Sequence, residues 1–180
     1  MKKYLVLSVF CAMGVSAMAE EAGINYNEAT LNYAGYKTSS TTYNGYAFDL
    51  GLMLTENIYT LGKYQSFDSG NINQGSLGLG YRIPAGGGAD GFFTLKYETD
   101  TEAVTTNGYS LGAGVRAKVT GDMDIIGAYS YRMMGKTHDY TFDAGLSYKF
   151  TSNMFGKLGY ATTSGDSSTS IYTLGVGFSF

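Results

Sequence analysis

The chain has 180 residues, a formal net charge of −3, 26 glycines, 17 tyrosines, one proline and no tryptophan. Its only cysteine is Cys11, which excludes a disulfide-stapled scaffold. With 12 Lys and Arg against 15 Asp and Glu, the composition offers no basic surface for a phosphate backbone, and we expect no nucleic-acid partner.

The first residues have the pattern of an export signal. Lys2 and Lys3 precede an apolar run over residues 5–15, and the small-x-small triplet over 17–19 follows it. This order predicts a signal peptide over residues 1–19, cleaved after Ala19, and one domain over residues 20–180. The apolar run is too short for a membrane-spanning helix. Cys11 falls inside this signal, so cysteine-based catalysis is excluded as well.

A polar-apolar-Gly-apolar unit then occurs five times, centred on Gly51, Gly78, Gly112, Gly145 and Gly175. By subtraction, the steps between these glycines are 27, 34, 33 and 30 residues, and each step has the length of one β-hairpin. Five similar hairpins predict ten strands. We place them at residues 25–36, 43–54, 57–66, 74–83, 91–99, 108–119, 123–133, 139–150, 153–163 and 170–180.

Apolar and polar residues alternate along nearly every predicted strand, which gives each strand one apolar face. A β-sandwich would alternate in the same way. Tyrosines favour lipid over a protein core, because they recur at the loop-side ends of strands, where an amphipathic ring lies at headgroup level. They are Tyr64, Tyr97, Tyr109, Tyr131, Tyr140, Tyr160 and Tyr172.

The opposite face is charged and rich in glycine, unlike the solvated surface of a sandwich, and closing the sheet would satisfy the backbone groups that lipid cannot. We expect its charged members to line a lumen. They are Asp49, Lys63, Arg82, Lys96, Glu98, Arg116, Lys118, Arg132, Asp143, Lys149 and Lys157. Some of these cations can pair with the three acids, whereas Lys63 and Lys157 lack an obvious partner. The interleaved glycines favour some open volume.

The predicted connections alternate in kind. Polar loops such as 37–42 and 164–169 follow odd-numbered strands, and tight turns such as 55–57 and 84–90 follow even-numbered ones. His138, the only histidine, falls in the predicted loop over 134–138, away from any strand-borne catalytic group. We therefore expect no enzymatic activity, no catalytic residue, no metal and no cofactor.

The last strand carries the most specific pattern. Thr173, Gly175, Phe178 and Phe180 resemble the terminal signal by which the barrel assembly machinery recognises its clients. The chain is thereby similar to small bacterial outer-membrane β-barrel proteins, the porin-like group that includes the outer membrane protein A and X type barrels. The resemblance implies a Gram-negative outer membrane, contact with its lipid and lipopolysaccharide, and that machinery as a partner during biogenesis. The predicted ten strands differ from the eight strands of some members of this group. If the hairpin over 25–54 is misread, the prediction becomes eight strands.

The sequence thus predicts an all-β, transmembrane, antiparallel up-and-down β-barrel of ten strands, acting as a monomer. Its expected function is a small porin-like channel for small solutes or ions, with a weak preference for anions because a basic wall lowers their barrier. Ten strands lie between barrels whose interior is just filled and the wide porins. The alternative is therefore a structural or surface-interaction barrel with a filled lumen and no transport.

Overall fold

The computed structural model describes residues 24–67, 72–101, 105–166 and 168–180 as ten strands, and the predicted signal peptide lies outside these residues. Within the described ranges, no helix is long and apolar enough to cross a membrane. The strands are β1 Glu28–Lys37, β2 Thr42–Met53, β3 Ile58–Phe67, β4 Ile72–Gly86, β5 Ala89–Thr101, β6 Thr105–Lys118, β7 Met123–Met134, β8 Thr137–Lys149, β9 Met154–Gly165 and β10 Thr169–Ser179.

Pairing between the first and last strands closes the sheet. Every strand is antiparallel to its neighbours in sequence, and β1 also pairs with β10, with Asn32 opposite Gly175. A closed barrel has no free edge, which distinguishes it from a sandwich. The ten-strand prediction is confirmed, and the eight-strand alternative is wrong because the first hairpin is present as β1 and β2.

The two ends of the barrel differ in the strand connections that they contain. The terminal end contains Glu28, Ser179 and the connections after even-numbered strands, and the distal end contains the connections after odd-numbered strands. By subtraction of the strand bounds, the connections have four, two, four and four residues at the terminal end, and the two fully described connections at the distal end, after β1 and β7, have four and two. The predicted difference in length is wrong, because strands continue into segments assigned to loops.

The predicted turn over residues 84–90 is the clearest example. β4 continues to Gly86, where the register with β5 shifts, and only Gly87 and Gly88 separate the two strands. The φ angles of Gly86, Gly87 and Gly88 are +76°, +64° and +79°. Glycine adopts this left-handed conformation without the strain that a side chain would add, so the run permits a two-residue turn.

The outward face of the barrel is apolar, as predicted. Leu77, Leu111 and Leu174 are 67%, 57% and 61% exposed, and each is surrounded along its strand by similar outward residues. A soluble protein rarely exposes a continuous apolar belt, whereas a bilayer covers it with acyl chains. The period-two alternation therefore separates a lipid face from a lumen face, and the fold is a transmembrane barrel.

Aromatic rings mark both margins of this belt. Near the distal end, outward tyrosines meet in pairs, with ring centroids 5.5 Å apart for Tyr97 and Tyr109 and 5.0 Å apart for Tyr160 and Tyr172. At the terminal end, Phe150 is 61% exposed and packs edge-on against the ring of Tyr148. These positions suit the tyrosines, whose rings are apolar and whose hydroxyl groups can be hydrated.

Candidate functional site

The barrel interior holds the charged residues singled out in the sequence. All eleven stand at inward register positions, in phase with buried residues such as Ala47 on β2 and Asp139 on β8. Seven of them take part in ion pairs, namely Asp49, Arg82, Lys96, Glu98, Arg116, Arg132 and Lys157. Among the described residues, the other four have no ion pair within 4.0 Å: Lys63, Lys118, Asp143 and Lys149.

One ion pair crosses the lumen near the terminal end. Arg116 Nη2 on β6 lies 3.0 Å from Glu28 Oε2 on β1, and 3.2 Å from Asp124 Oδ2 on β7. In a ring of ten strands, β1 and β6 are five positions apart and stand on opposite walls. Arg116 is only 9% exposed, so its charge is held by these two carboxylates. Together they form a bar across the lumen.

Lys157 extends this bar toward β2. Its Nζ lies 3.5 Å from Asp49 Oδ2 and 3.9 Å from Glu28 Oε1. Asp49 Oδ2 also accepts hydrogen bonds from Thr30 Oγ1 at 2.9 Å and Asn32 Nδ2 at 3.0 Å. The expectation that Lys157 lacks a partner is therefore wrong, because its partners come from strands that lie far away in sequence.

The segment before β1 closes the terminal mouth. Ile24 and Tyr26 are buried, and the Arg82 guanidinium donates to the Ile24 carbonyl at 3.3 Å. The Tyr26 ring packs at a tilt of 37° against the Tyr59 ring, with centroids 4.5 Å apart. The Arg116 guanidinium carbon lies 5.4 Å from the centroid of the Tyr26 ring. Burial raises the pKa of Tyr26, so its phenol stays neutral between the two arginines.

Inward glycines make room for aromatic rings rather than for open space. A Cβ on Gly80 would collide with the Tyr59 ring. On Gly114 it would meet the Phe92 ring, and on Gly177 it would meet the Phe155 ring. All three rings are at most 6% exposed. The expectation that lumen glycines favour open volume is wrong for this half of the barrel, because each gap is filled from a neighbouring strand.

A second ion-pair network lies on one wall, closer to the distal end. Arg132 Nε on β7 is 2.7 Å from Glu98 Oε2, and its Nη2 is 3.4 Å from Asp100 Oδ2. Lys96 Nζ is 3.4 Å from Glu98 Oε1. The Gln74 side-chain amide also donates to Asp100 Oδ2 at 2.9 Å. Because β4, β5 and β7 are close in the ring, this network lines the lumen without crossing it.

Two cavities lie beside this second network. A mid-lumen cavity of about 100 Å³ is bounded by residues of β3, β4, β5, β7, β8, β9 and β10, including Lys63 and Arg132. A wider cavity of about 370 Å³ opens at the distal end and also touches Arg132. The remaining wall at this height is packed with a buried apolar cluster that includes Tyr36 and Phe67. The distal half thus retains open volume in the lumen, and the terminal half is filled.

Sequence reasoning missed four carboxylates of the interior. Glu28, Asp90, Asp100 and Asp124 all take part in ion pairs. Asp90 and Asp100 lie in strands, although the sequence analysis assigned them to connections. Asp124 lies on the same inward face of β7 as Arg132, and this shared face would have identified it. With these four and the buried Asp139, inward acids number eight against eight bases among the described residues. The described part of the interior therefore has no excess of basic charge, and the predicted anion preference depended on such an excess.

His138 lies on the outer surface, far from this interior chemistry. It is part of β8, so the prediction that it sits in a loop is wrong. Its ring stacks on Tyr131 at an interplanar angle of 8°, and its Nδ1 is 2.8 Å from the Tyr131 hydroxyl. The backbone N–H of His138 donates to Asp166 Oδ2 at 2.9 Å. No group of three or more metal-ligating side chains occurs in the part of the chain that the structure describes.

Comparison with solved structures agrees with this architecture. A structure of the NanC porin matches with a TM-score of 0.51 at 12% identity, covering 83% of this chain and 100% of that chain. A structure of the KdgM porin in complex with disordered oligogalacturonate gives a TM-score of 0.50 at 15% identity, covering 84% and 99%. At these identities the likeness concerns the fold alone. No protein-family model and no curated protein matches the chain.

Replacing Gly80 with alanine tests the packing of the terminal half. We expect Gly80→Ala to lower the free energy of unfolding by roughly 1–3 kcal/mol, because the new methyl group overlaps the Tyr59 ring. Gly127→Ala is the matched control, since no described atom lies within 4 Å of a Cβ at that outward position. Urea unfolding in lipid vesicles, followed by circular dichroism, measures both. Equal stability of the two variants would contradict the packing described here.

Proposed function

We propose that the protein is a small porin-like barrel of the Gram-negative outer membrane that passes small ions or solutes through a narrow, gated lumen. The observation that carries this proposal is the combination of an apolar exterior with a charged interior that retains cavities in its distal half. The proposal includes no enzymatic step, because the interior charges are arranged as ion pairs and His138 lies outside the barrel.

The Glu28–Arg116 pair is the proposed constriction. Solutes would enter the distal cavity, pass Arg132 and meet the bar of charges near the terminal end. Since inward acids and bases are nearly balanced, we expect weak ion selectivity rather than the anion preference inferred from sequence. Passage requires that the cross-lumen pair separates and that the segment before β1, which contains Ile24 and Tyr26, leaves the terminal mouth. A buried pair with well-placed hydrogen bonds separates rarely. The proposed channel is therefore mostly closed.

A structural barrel without transport is the second candidate. It is favoured by the filled terminal half, where Tyr26, Tyr59, Phe92 and Phe155 are all at most 6% exposed. In that case the ion pairs would brace opposite walls of the barrel, and the protein would contribute only to envelope integrity or surface contacts. The two candidates differ in one property, which is whether any current passes.

Replacing Arg116 distinguishes the gated channel from the structural barrel without transport. A charge-assisted hydrogen bond contributes about 1.5–3 kcal/mol, so we expect Arg116→Ser to raise the open fraction by roughly tenfold or more. Single-channel recording in a planar bilayer measures this, after a heat-modifiable gel shift has shown that the barrel is folded. Lys118→Ser is the matched control, because it removes a positive charge from the same inward face of β6 without touching Glu28.

Two outcomes would count against the gated channel. If wild type and Arg116→Ser are both silent although folded, the lumen is filled and the structural candidate holds. If Lys118→Ser raises the current as much as Arg116→Ser, lumen charge in general controls the current, and the constriction does not lie at the Glu28–Arg116 pair.

Assembly by the barrel assembly machinery is part of the same proposal. Three residues of the terminal signal lie on β10 and Phe180 follows its last residue, with Thr173 and Gly175 inward and Phe178 and Phe180 outward. The outward rings stack with centroids 6.4 Å apart, at the margin where the belt meets the interface. We propose lipid and lipopolysaccharide as the other partners of the outer surface. The closed sheet has no free strand for pairing with a second copy, which supports a monomer.

Changing Phe180 tests this assembly proposal. We expect Phe180→Ser to reduce the outer-membrane level several-fold, with degradation in the periplasm, because the terminal aromatic residue is lost from the signal. Phe150→Ser is the control, since it removes another outward ring at the same end, from the connection between β8 and β9. Immunoblots of fractionated membranes measure both variants. Normal levels of Phe180→Ser, or an equal loss in the control, would show that Phe180 has no special role in assembly.

A further inference from the structure

The mid-lumen cavity is lined by two opposite charges that form no ion pair within the described chain. Lys63 lines it from β3 and Asp143 lines it from β8. Among the described residues, neither forms an ion pair within 4.0 Å or a side-chain hydrogen bond. β3 and β8 are five positions apart in the ring of ten, so the ammonium and the carboxylate stand on opposite walls. The cavity lies between them.

The other charges around this cavity already neutralise one another. Lys96 and Arg132 are paired with Glu98 and Asp100, which gives two cations and two acids on one wall. Lys63 stands opposite Asp49 in the pairing of β2 with β3, but Asp49 is ion-paired with Lys157 at 3.5 Å. Lys63 and Asp143 are therefore the charges of this cavity that no ion pair among the described residues neutralises. A ligand that carries both signs would satisfy both of them at once.

An unpartnered amide stands beside Lys63. The Gln65 side chain is 4% exposed and lines the same cavity, yet its Nε2 has no hydrogen-bond partner within the described chain. Buried donors are normally bonded, so this amide calls for an acceptor inside the cavity. On the opposite wall, the hydroxyls of Thr141 and Thr163 are bonded to each other at 3.0 Å, and Asp143 follows on the same strand as Thr141. Donors thus gather at the Lys63 wall, and the free acceptor lies at the Asp143 wall.

We propose that this cavity binds a small zwitterion, such as a free α-amino acid with a small side chain. Its carboxylate accepts from the Lys63 ammonium and the Gln65 amide, and its ammonium donates to Asp143. The volume of about 100 Å³ is that of about three water molecules at about 30 Å³ each, which limits the ligand to the size of glycine or alanine. The inference rests on the proposed function in one respect, because the solute reaches the cavity through the distal mouth.

A simple ion fits this arrangement less well than a zwitterion. An anion at Lys63 leaves the Asp143 carboxylate facing it across a small cavity, and a cation at Asp143 leaves Lys63 in the same position. In both cases the unmatched charge has the same sign as the bound ion and repels it across the cavity. We therefore expect the site to bind glycine more tightly than acetate or methylammonium, each of which carries only one of the two charged groups of glycine.

This ranking is measured by thermal unfolding of the refolded wild-type barrel in detergent, with glycine, acetate or methylammonium added at equal ionic strength. Because a ligand that binds only the folded state stabilises it by mass action, we expect a saturable rise in Tm with glycine and little change with either ion. Glycine also stabilises proteins by exclusion from their surface, but that effect does not saturate. If acetate or methylammonium raises Tm as much as glycine does, or no ligand gives a saturable rise, the proposal is overturned.

Variants locate the site. Lys63→Met and Asp143→Asn should each weaken glycine binding by about tenfold or more, because each removes one charge-assisted contact. Lys118→Met is the control, since it removes an inward lysine outside the cavity and should leave binding unchanged. If all three variants bind glycine like wild type, the ligand is bound elsewhere. The wild-type ligand series decides the proposal even if a variant fails to refold.

Binding and conduction are read separately, so the two proposals can fail independently. A silent bilayer together with saturable glycine binding would remove the channel and keep the zwitterion site. Current through Arg116→Ser without glycine binding would keep the channel and remove the site.

Discussion

Backbone hydrogen bonding in lipid is the constraint on which the rest of this structure depends. No water is available in the bilayer core to satisfy a free N–H or C=O group, so a sheet that enters it must close on itself. Pairing of β1 with β10 meets this requirement along the whole length of both strands, from Glu28 opposite Ser179 to Lys37 opposite Ser170. Once the sheet is closed, the two-residue period of a strand assigns every side chain either to lipid or to the lumen.

The ion pairs follow from that assignment. A charge confined in a narrow lumen must find a partner, and the partner of Arg116 comes from the opposite wall. Such pairs contribute little net stability, because desolvation offsets their attraction. They do specify register, since a slip of one residue in β6 would turn Arg116 into lipid and bring Val115 into the lumen. The same geometry explains the asymmetry of the interior. Pairs that cross the lumen, together with the rings over Gly80, Gly114 and Gly177, fill the terminal half, whereas pairs along one wall leave the distal half open.

The sequence was sufficient to predict the features that depend on local repeats, namely the number of strands and the direction of their side chains. The five glycine-centred units predicted ten strands, and the alternation in β10 predicted which residues face outward, because both depend on neighbouring residues. Contacts across the lumen were not predictable in this way. Glu28 and Arg116 are 88 positions apart, and no local pattern relates them. Glycine was misleading for a similar reason, since the residue that occupies the space beside Gly80 belongs to another strand. Strand ends were also missed where polar residues such as Asp100 continue a strand beyond the apolar belt.

Thiol labelling tests the central claim, which is that one face of each strand meets water and the other meets lipid. Cys11 is the only cysteine and falls in the predicted signal peptide, so single cysteines can be placed at Thr141, which lines the mid-lumen cavity, and at the adjacent Phe142, which is outward and 47% exposed. Reaction with a small, water-soluble, membrane-impermeant thiol reagent is then measured in lipid vesicles. The structure predicts that Thr141→Cys reacts and Phe142→Cys reacts only after denaturation. The reverse order would invert the two faces, and equal reaction at both positions would contradict a barrel embedded in lipid.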